Sequence, residues 1–343
     1  MSEEERPKRR VRYSGKNPRL FHQKYKEQQP ERYGEDVEKV LASGKTPAGM
    51  HRPIMVREIL DVLALKPGQT VVDCTVGYGG HAAEMARAIQ PGGRLIGLDA
   101  DPIELPKTEA RLRATLGLEG TDSLLLRRMN FAGLPQLLAT EAPGGVDAIL
   151  ADLGVSSMQI DNPARGFTFK FEGPLDLRMN PQRGQPASAL LAKISAKELT
   201  ALLKENSDEP YAERIALAVV EARNRNALTG TTTGLARFVR EICPGSDDTV
   251  RRVFQALRIA VNEEFNALNI FLRQLPECLA AGGRVAILTF HSGEDRRVKH
   301  ALKAGLNAGF YSSIAPDVVR VSAEELRANP RSSSAKLRWA VRA

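Results

Sequence analysis

Apolar positions along the chain recur in two alternating rhythms. The stretch IMVREILDVLAL places them at helical spacing and stops at Lys66-Pro67-Gly68, where a helix cannot continue. TVVDCTV follows as a β-branched run bounded by Gly68 and Gly77, which predicts a buried strand. HAAEMARAI predicts a helix ended by Pro91-Gly92-Gly93, and RLIGLDA a second strand closing on Asp99. IELPKTEARLRATLG reads as helical despite Pro106, SLLLRRMN as a third strand, LPQLLATEA as a helix and VDAILADLGV as a fourth strand. Strands alternating with helices at this spacing predict an α/β fold with a parallel, doubly wound sheet.

The alternation then breaks. Between about residues 160 and 260 no strand pattern follows the Gly- and Pro-rich stretch DNPARGFTFKFEGPLDLRMNPQRGQP. SAKELTALLKEN opens with the capping-box spacing of Ser195 and Glu198. EPYAERIALAVVEARN and GLARFVREIC are also helical, and a long apolar-periodic stretch from Thr249 to Leu279 leads back to the sheet. GGRVAILTF is another buried strand, and AKLRWAVR alternates like an edge strand. The expected organisation is a basic extension over residues 1–48, an α/β domain in two parts at 49–160 and 261–343, and an all-helical substrate domain inserted at 161–260. No internal repeat is visible.

Composition narrows the class. With 343 residues, 42% hydrophobic and 26% charged, the chain has ordinary globular chemistry. It has no run of eighteen apolar residues, and MSEEERPKRR lacks the apolar segment of a secretory signal. A cytoplasmic protein without a membrane span is expected. Cys74, Cys243 and Cys278 lie far apart with no CxxC and no clustered histidines, so neither a disulfide framework nor a metal site is expected. The net charge of +8 asks for an acidic partner. Nine Lys or Arg and no acid fall between Arg6 and Lys26, interleaved with Tyr13, Phe21 and Tyr25. That mixture suits an arm that neutralises phosphates and stacks on bases; the plainer reading is a solvated tail.

The first strand ends in Asp73-Cys74-Thr75-Val76-Gly77-Tyr78-Gly79-Gly80-His81 and runs directly into a helix. Glycines there permit a sharp turn and close approach of a ligand to the main chain, although many α/β folds carry such a turn for packing alone. Asp99 at the end of strand two, some 20 residues on, is placed to accept hydrogen bonds from ribose hydroxyls. The loop lacks the third glycine of GxGxxG and is preceded by the acid Asp73. A pyrophosphate gains nothing from that carboxylate, whereas a cationic methionine moiety does. The loop at residues 77–81 with Asp99 is therefore read as an S-adenosylmethionine site. Strand four ends in Asp152-Leu153-Gly154-Val155-Ser156-Ser157, beyond the carboxyl edge where ligands of such sheets bind. Asp152 and Ser156 are the candidate catalytic residues. Asp152 is suited to orient an amine and take its proton, and its plainer role would be to cap the turn.

At this point the sequence resembles a known family. DLGVSS at Asp152, Gln159, RGFTF from Arg165, GPLDLRM from Gly173, FQALRI from Phe254, and Val261-Asn262 are similar to the signature of the MraW/RsmH-type small-subunit ribosomal RNA cytosine-N4 methyltransferases. Phe290-His291-Ser292, Glu294-Asp295-Arg296 and Asn329-Pro330-Arg331-Ser332 continue it. The resemblance implies a class I (Rossmann-like) methyltransferase fold with an inserted helical domain. It implies cofactor contacts at Gly79, Gly80, His81, Asp99, Phe131, Asp152 and Gln159, beside Gly77 of the loop. The implied substrate is a cytidine amine in small-subunit ribosomal RNA or in the assembling subunit; a homodimer stays open. RNA contacts are expected from Arg165, Phe167, Lys170, Arg178, Arg258, His291 and Arg296. For His291 the alternatives are a base, an RNA contact or a buried hydrogen-bonding group. The chain departs from the family with CTVGYGGHA for GTFGRGGHS, Gly293 for Leu, Asn206-Ser207-Asp208 for YGE, and the added basic arm. Competing readings are a methyltransferase acting on another RNA, a small molecule or a protein, and an RNA-binding assembly factor with weak or no turnover. A nicotinamide dehydrogenase fails on the missing glycine.

Overall fold

The computed structural model describes residues 53–343 except Glu119 and Ser246. The basic arm and the short polar helix expected around residues 35–42 thus lie outside the described residues.

Four parallel strands arise where the sequence is continuously apolar: β1 (Thr70–Asp73), β2 (Arg94–Asp99), β3 (Leu124–Arg128) and β4 (Val146–Asp152). Such runs are what a strand covered on both faces requires. Helices α1 (Val56–Leu63), α2 (Gly80–Ala88), α3 (Leu105–Leu116) and α4 (Leu134–Glu141) accompany them. Pro106 sits in the first turn of α3, where its missing N–H costs nothing. The short α5 (Ser157–Asp161) follows β4. Then come α6 (Ala187–Leu191), α7 (Ala196–Ser207), α8 (Ala212–Asn224), α9 (Thr232–Ile242) and α10 (Asp248–Asn262). These helices enclose an apolar core of their own that includes Leu203, Ile215, Val239, Phe254 and Leu257.

The stretch from Thr249 to Leu279 is not one helix. Glu263 adopts a left-handed conformation (φ 51°), ending α10 and starting α11 (Glu264–Cys278) in a new direction. Leu268, Phe271 and Leu275 of α11 pack with the sheet core, not with the core of α6–α10. The chain continues through β5 (Leu279–Thr289), α12 (Ser292–Asn307), β6 (Tyr311–Ile314), β7 (Val319–Arg320), α13 (Ala323–Ala328) and β8 (Lys336–Arg342).

The sheet order is β3-β2-β1-β4-β5-β8-β6, with β7 also paired to β8. β8 runs antiparallel between β5 and β6, so the edge-strand expectation for AKLRWAVR is corrected: it is interior. The short partners β6 and β7 cover its outer side, and neither carries enough alternation to be read as a strand from sequence. This order, parallel except for one late antiparallel strand, is that of a class I (Rossmann-like) methyltransferase sheet. The order reverses at β1, whose neighbours are β2 and β4. The carboxyl ends of β1 and β4 therefore open a crevice at the switch point, carrying Asp73 and Asp152.

Candidate active site

The chain turns out of β1 at Gly77 (φ 50°) and Gly79 (φ 87°) before α2 begins at Gly80. Both glycines occupy the left-handed region, which a Cβ disfavours. Space excludes side chains as well: a Cβ on Gly79 would stand 3.0 Å from Thr108 Cγ2, and one on Gly80 2.8 Å from Pro53 Cγ. Asp99 holds this loop. Its Oδ2 accepts from the Gly77 N–H at 2.8 Å and its Oδ1 from the Asp101 N–H at 2.8 Å. Burial pushes the Asp99 carboxyl up to about 6, against the pull of those two backbone donors. Thr108 Oγ1 donates to the Gly77 carbonyl at 2.6 Å, and Arg111 donates to the Tyr78 carbonyl while its guanidinium lies 3.5 Å from the centre of the tyrosine ring. Tyr78 is thus packed on α3 by Arg111.

Asp73 is buried at the end of β1. Its Oδ1 accepts from the Thr75 N–H at 3.0 Å, while its Oδ2 is buried without a hydrogen-bond partner. Desolvation raises this carboxyl to about 6, opposed by His81. Asp152 is anchored through its backbone N–H, which donates to Thr75 Oγ1 at 2.7 Å. Its Oδ1 is buried and unpartnered, yet the side chain is 27% exposed, so the exposed part is its Oδ2 side. Burial, with Glu294 adding to it, raises the Asp152 carboxyl to about 7. His81 is buried beside it, with Nε2 2.9 Å from the Ile54 carbonyl and Nδ1 3.5 Å from Asp152 Oδ2. Three acids and one imidazole thus line one crevice, two of the acids with an orphaned oxygen. An orphaned buried carboxylate oxygen is costly unless a donor or cation completes it. A cationic S-adenosylmethionine fits a crevice so lined, with the orphaned Asp73 Oδ2 free to face its charge. Phe131 is half-buried after β3, its ring edge-on to Phe271 at 5.3 Å.

Asp101 was not foreseen, yet it organises this wall. It is 1% exposed, and its Oδ1 accepts from the Ile103 and Glu104 N–H groups. Its Oδ2 accepts from Gln159 Nε2 and Arg165 Nη1, both at 2.8 Å. The signal in the sequence is an Asp two residues past Asp99, just before a helix, where a capping carboxylate belongs. Gln159 therefore reaches the crevice wall through Asp101. Ser156 is the N-cap of α5: its Oγ accepts from the Gln159 N–H, and the Gln159 Oε1 accepts from the Ser156 N–H. That reciprocal box fixes Ser156 at the start of α5.

The sequence profile described as the MraW methylase family matches residues 48–343. The chain belongs to that family. Among its relatives is "Ribosomal RNA small subunit methyltransferase H 1" of Agathobacter rectalis, 51% identical over 100% of both chains. The protein of the same name from Lachnoclostridium phytofermentans is 50% identical over 98% of this chain and 93% of the relative. A solved SAM-dependent methyltransferase from Aquifex aeolicus superposes with a TM-score of 0.38 at 11% identity, covering 84% of this chain and 90% of that one. The basic arm lies outside the family match, while the alignment to the Agathobacter protein extends over the whole chain.

Within this MraW-family chain, the residues expected to touch RNA divide sharply. Arg165 is buried, bonded to Asp101 and donating to the Met179 carbonyl at 2.7 Å, so it braces the fold instead of facing RNA. Phe167 is buried in the core of the helices. Arg258 is paired with Glu264 at 2.8 Å inside the protein. Arg178 grips Asp176 at 2.7 Å, and that pairing lowers the Asp176 carboxyl. His291 caps α12, its Nδ1 accepting from the Glu294 N–H and its Nε2 lying 3.1 Å from Glu294 Oε1. Its Nε2 is buried without a hydrogen-bond partner. Lys170 is exposed, and Arg296 is half exposed but paired with Asp208 at 3.0 Å.

The departures from the family pattern also acquire places. Asp208 ends α7 in a left-handed turn and binds both Arg296 and Ser292 of α12. Gly293 makes room for Phe265, whose ring would stand 2.7 Å from a Cβ there and which carries the Arg297 guanidinium at 3.5 Å.

Proposed function

We propose that the chain is an S-adenosylmethionine-dependent methyltransferase of small-subunit ribosomal RNA that modifies the exocyclic N4 amine of a cytidine. The relatives named above supply the ribosomal class. The single feature that favours an amine acceptor is Asp152, a carboxylate raised to about 7 at the switch point with its Oδ2 side open to the crevice.

When bound, S-adenosylmethionine supplies an activated methyl group. Asp73 and Asp99 would hold its charge and its sugar, and Gly77, Gly79 and Gly80 bring main chain close to it. An exocyclic amine is a weak nucleophile because its lone pair is delocalised into the ring. Asp152 acts by orienting that amine and taking its proton at Oδ2, a task for which a group titrating near neutrality is well matched. Positioning accounts for much of the remaining acceleration. Replacing Asp99 by Ala removes the ribose acceptor and releases the Gly77 N–H. Cofactor affinity should fall by about 1.5–3 kcal/mol, roughly ten- to hundredfold, in calorimetry; unchanged affinity would show that the sugar sits elsewhere.

RNA must reach the crevice over its rim. Arg128 ends β3 in register with Asp99, and its guanidinium lies 3.4 Å from Gln182 Oε1. Arg183 is exposed next to Gln182. Among the described residues neither arginine forms an ion pair, unlike Arg165, Arg178, Arg258 and Arg296. Exposed unpaired arginines at the rim are suited to phosphate contacts. In the double variant Arg128→Ala/Arg183→Ala, the slope of log affinity against log salt should drop by about 1.4, at ~0.7 per phosphate contact on single-stranded RNA. Titrations across a salt series check this, and an unaltered slope moves the RNA path away from this rim.

The decisive test of the function is chemical: N4-methylcytidine mapped in small-subunit ribosomal RNA from cells with and without the protein. One cytidine should lose its mark when the protein is absent. An identical map in both would overturn the reading.

A further inference from the structure

His81 is fixed from two sides. The Ile54 carbonyl, 2.9 Å from Nε2, can only accept, so Nε2 carries the ring proton of the neutral imidazole. Nδ1 is then left with a lone pair, 3.5 Å from Asp152 Oδ2. Two acceptors facing each other do not form a hydrogen bond, and the separation exceeds hydrogen-bond length. The pair becomes complementary once Oδ2 acquires a proton.

We propose that His81 is a positioning residue of the methyl-transfer site, whose Nδ1 accepts a hydrogen bond from the O–H that forms on Asp152 when its Oδ2 takes the proton of the acceptor amine. This rests on the methyltransferase reading above and adds to it a role for an imidazole that the loop motif places but does not explain. The proton balance is simple. The N–H bond of the amine breaks as an O–H bond forms on Asp152, and that O–H donates to Nδ1 while Nε2–H continues to donate to Ile54. No charge builds up on the imidazole. Burial holds the His81 ring below its ordinary value, which keeps it neutral and its lone pair available.

The surroundings of the pair are acidic on each side. Asp73, Glu84 and Glu325 face His81, and Glu294 and Asp73 face Asp152. The device is held in place by packing that reaches both its partners: Pro53 abuts Gly80, and the Met55 N–H donates to Glu325 at 3.0 Å, which pins the backbone on either side of Ile54.

Two measurements test the proposal, one of them without cofactor or RNA. In cofactor-free protein labelled with 15N-histidine, the His81 signals are identified by their absence in His81→Phe. The ring should carry its proton on Nε2, and the Nδ1 resonance should move as the pH falls through about 7, where Asp152 is protonated. In Asp152→Asn that step should vanish. A proton on Nδ1 of the neutral ring, or an Nδ1 signal indifferent to Asp152, would overturn the proposal. Kinetically, His81→Phe keeps a ring and removes the acceptor. It should lower kcat about tenfold, the usual worth of one such hydrogen bond, with both KM values within about twofold of the parent. A rise in cofactor KM with kcat intact would make His81 a cofactor contact only. If the parent enzyme failed to methylate RNA, the function would fall while the NMR response stood. If it methylated RNA and the NMR response were missing, only the role of His81 would fall.

Discussion

Asp152→Asn should lower kcat by about 10²–10⁴-fold while RNA affinity and cofactor affinity change little. An amide cannot take up the proton of the amine, and general-base contributions are of that size. The substitution is close to isosteric, and the backbone N–H that fixes residue 152 on Thr75 Oγ1 is untouched. The pH dependence follows from the same group. A base works only when deprotonated, and burial with Glu294 raises Asp152 to about 7. In the parent enzyme kcat/KM should therefore climb as the pH rises through about 7 and level off above it, and the residual activity of Asp152→Asn should lack that limb. Single-turnover methylation with saturating cofactor, measured across pH, checks both statements. Equal losses in catalysis and RNA binding would reduce Asp152 to a structural element of the turn after β4.

Arg165→Met should destabilise the fold by about 3–5 kcal/mol, the cost of leaving one member of a buried ion pair alone. The Asp101 carboxylate would keep Gln159 and two backbone donors but lose its cation at 2.8 Å. The loop carrying the Met179 carbonyl would lose its anchor too. Urea unfolding checks the magnitude. In the double variant Asp101→Asn/Arg165→Met, the loss should be smaller than the sum of the two single losses, since neither charge is then stranded. A stable Arg165→Met protein with weakened RNA binding would return Arg165 to the RNA surface, where the sequence alone had placed it.

That reversal shows where sequence pattern is informative and where it is not. The parallel strands were legible because burial on both faces writes continuous apolar runs such as VDAILAD. The capping box at Ser195 was legible because its partners are three residues apart and owe nothing to the rest of the fold. The break at Glu263 was not, since a single left-handed residue leaves the apolar period of both flanking helices unaltered. β6 and β7 are four and two residues long, too short to show a period.

In the site, Asp73, Asp99 and Asp152 could be placed because each ends a recognisable strand at the carboxyl edge. Charge sign alone could not show which arginines are already paired. Arg165, Arg178 and Arg258 look like RNA contacts until their acids appear: Asp101, Asp176 and Glu264. Of these, Asp101 is 64 residues away from Arg165, a pairing that only the folded chain reveals. Arg128 was passed over for the opposite reason, as it ends a strand and belongs to no recognisable motif.

The interior position of β8 has a bearing on synthesis. Strands β1 to β5 can align as soon as they emerge from the ribosome, but β6 and β7 have nothing to bond until β8 slots beside β5. Glu325, which secures the segment over the glycine loop, is also translated after most of the sheet. A nascent chain stalled before residue 325 should therefore present an open sheet edge along β5 and an unfastened cofactor pocket. Edges of that kind invite pairing with other chains. Competence to bind cofactor would therefore come only after residue 325 had been made.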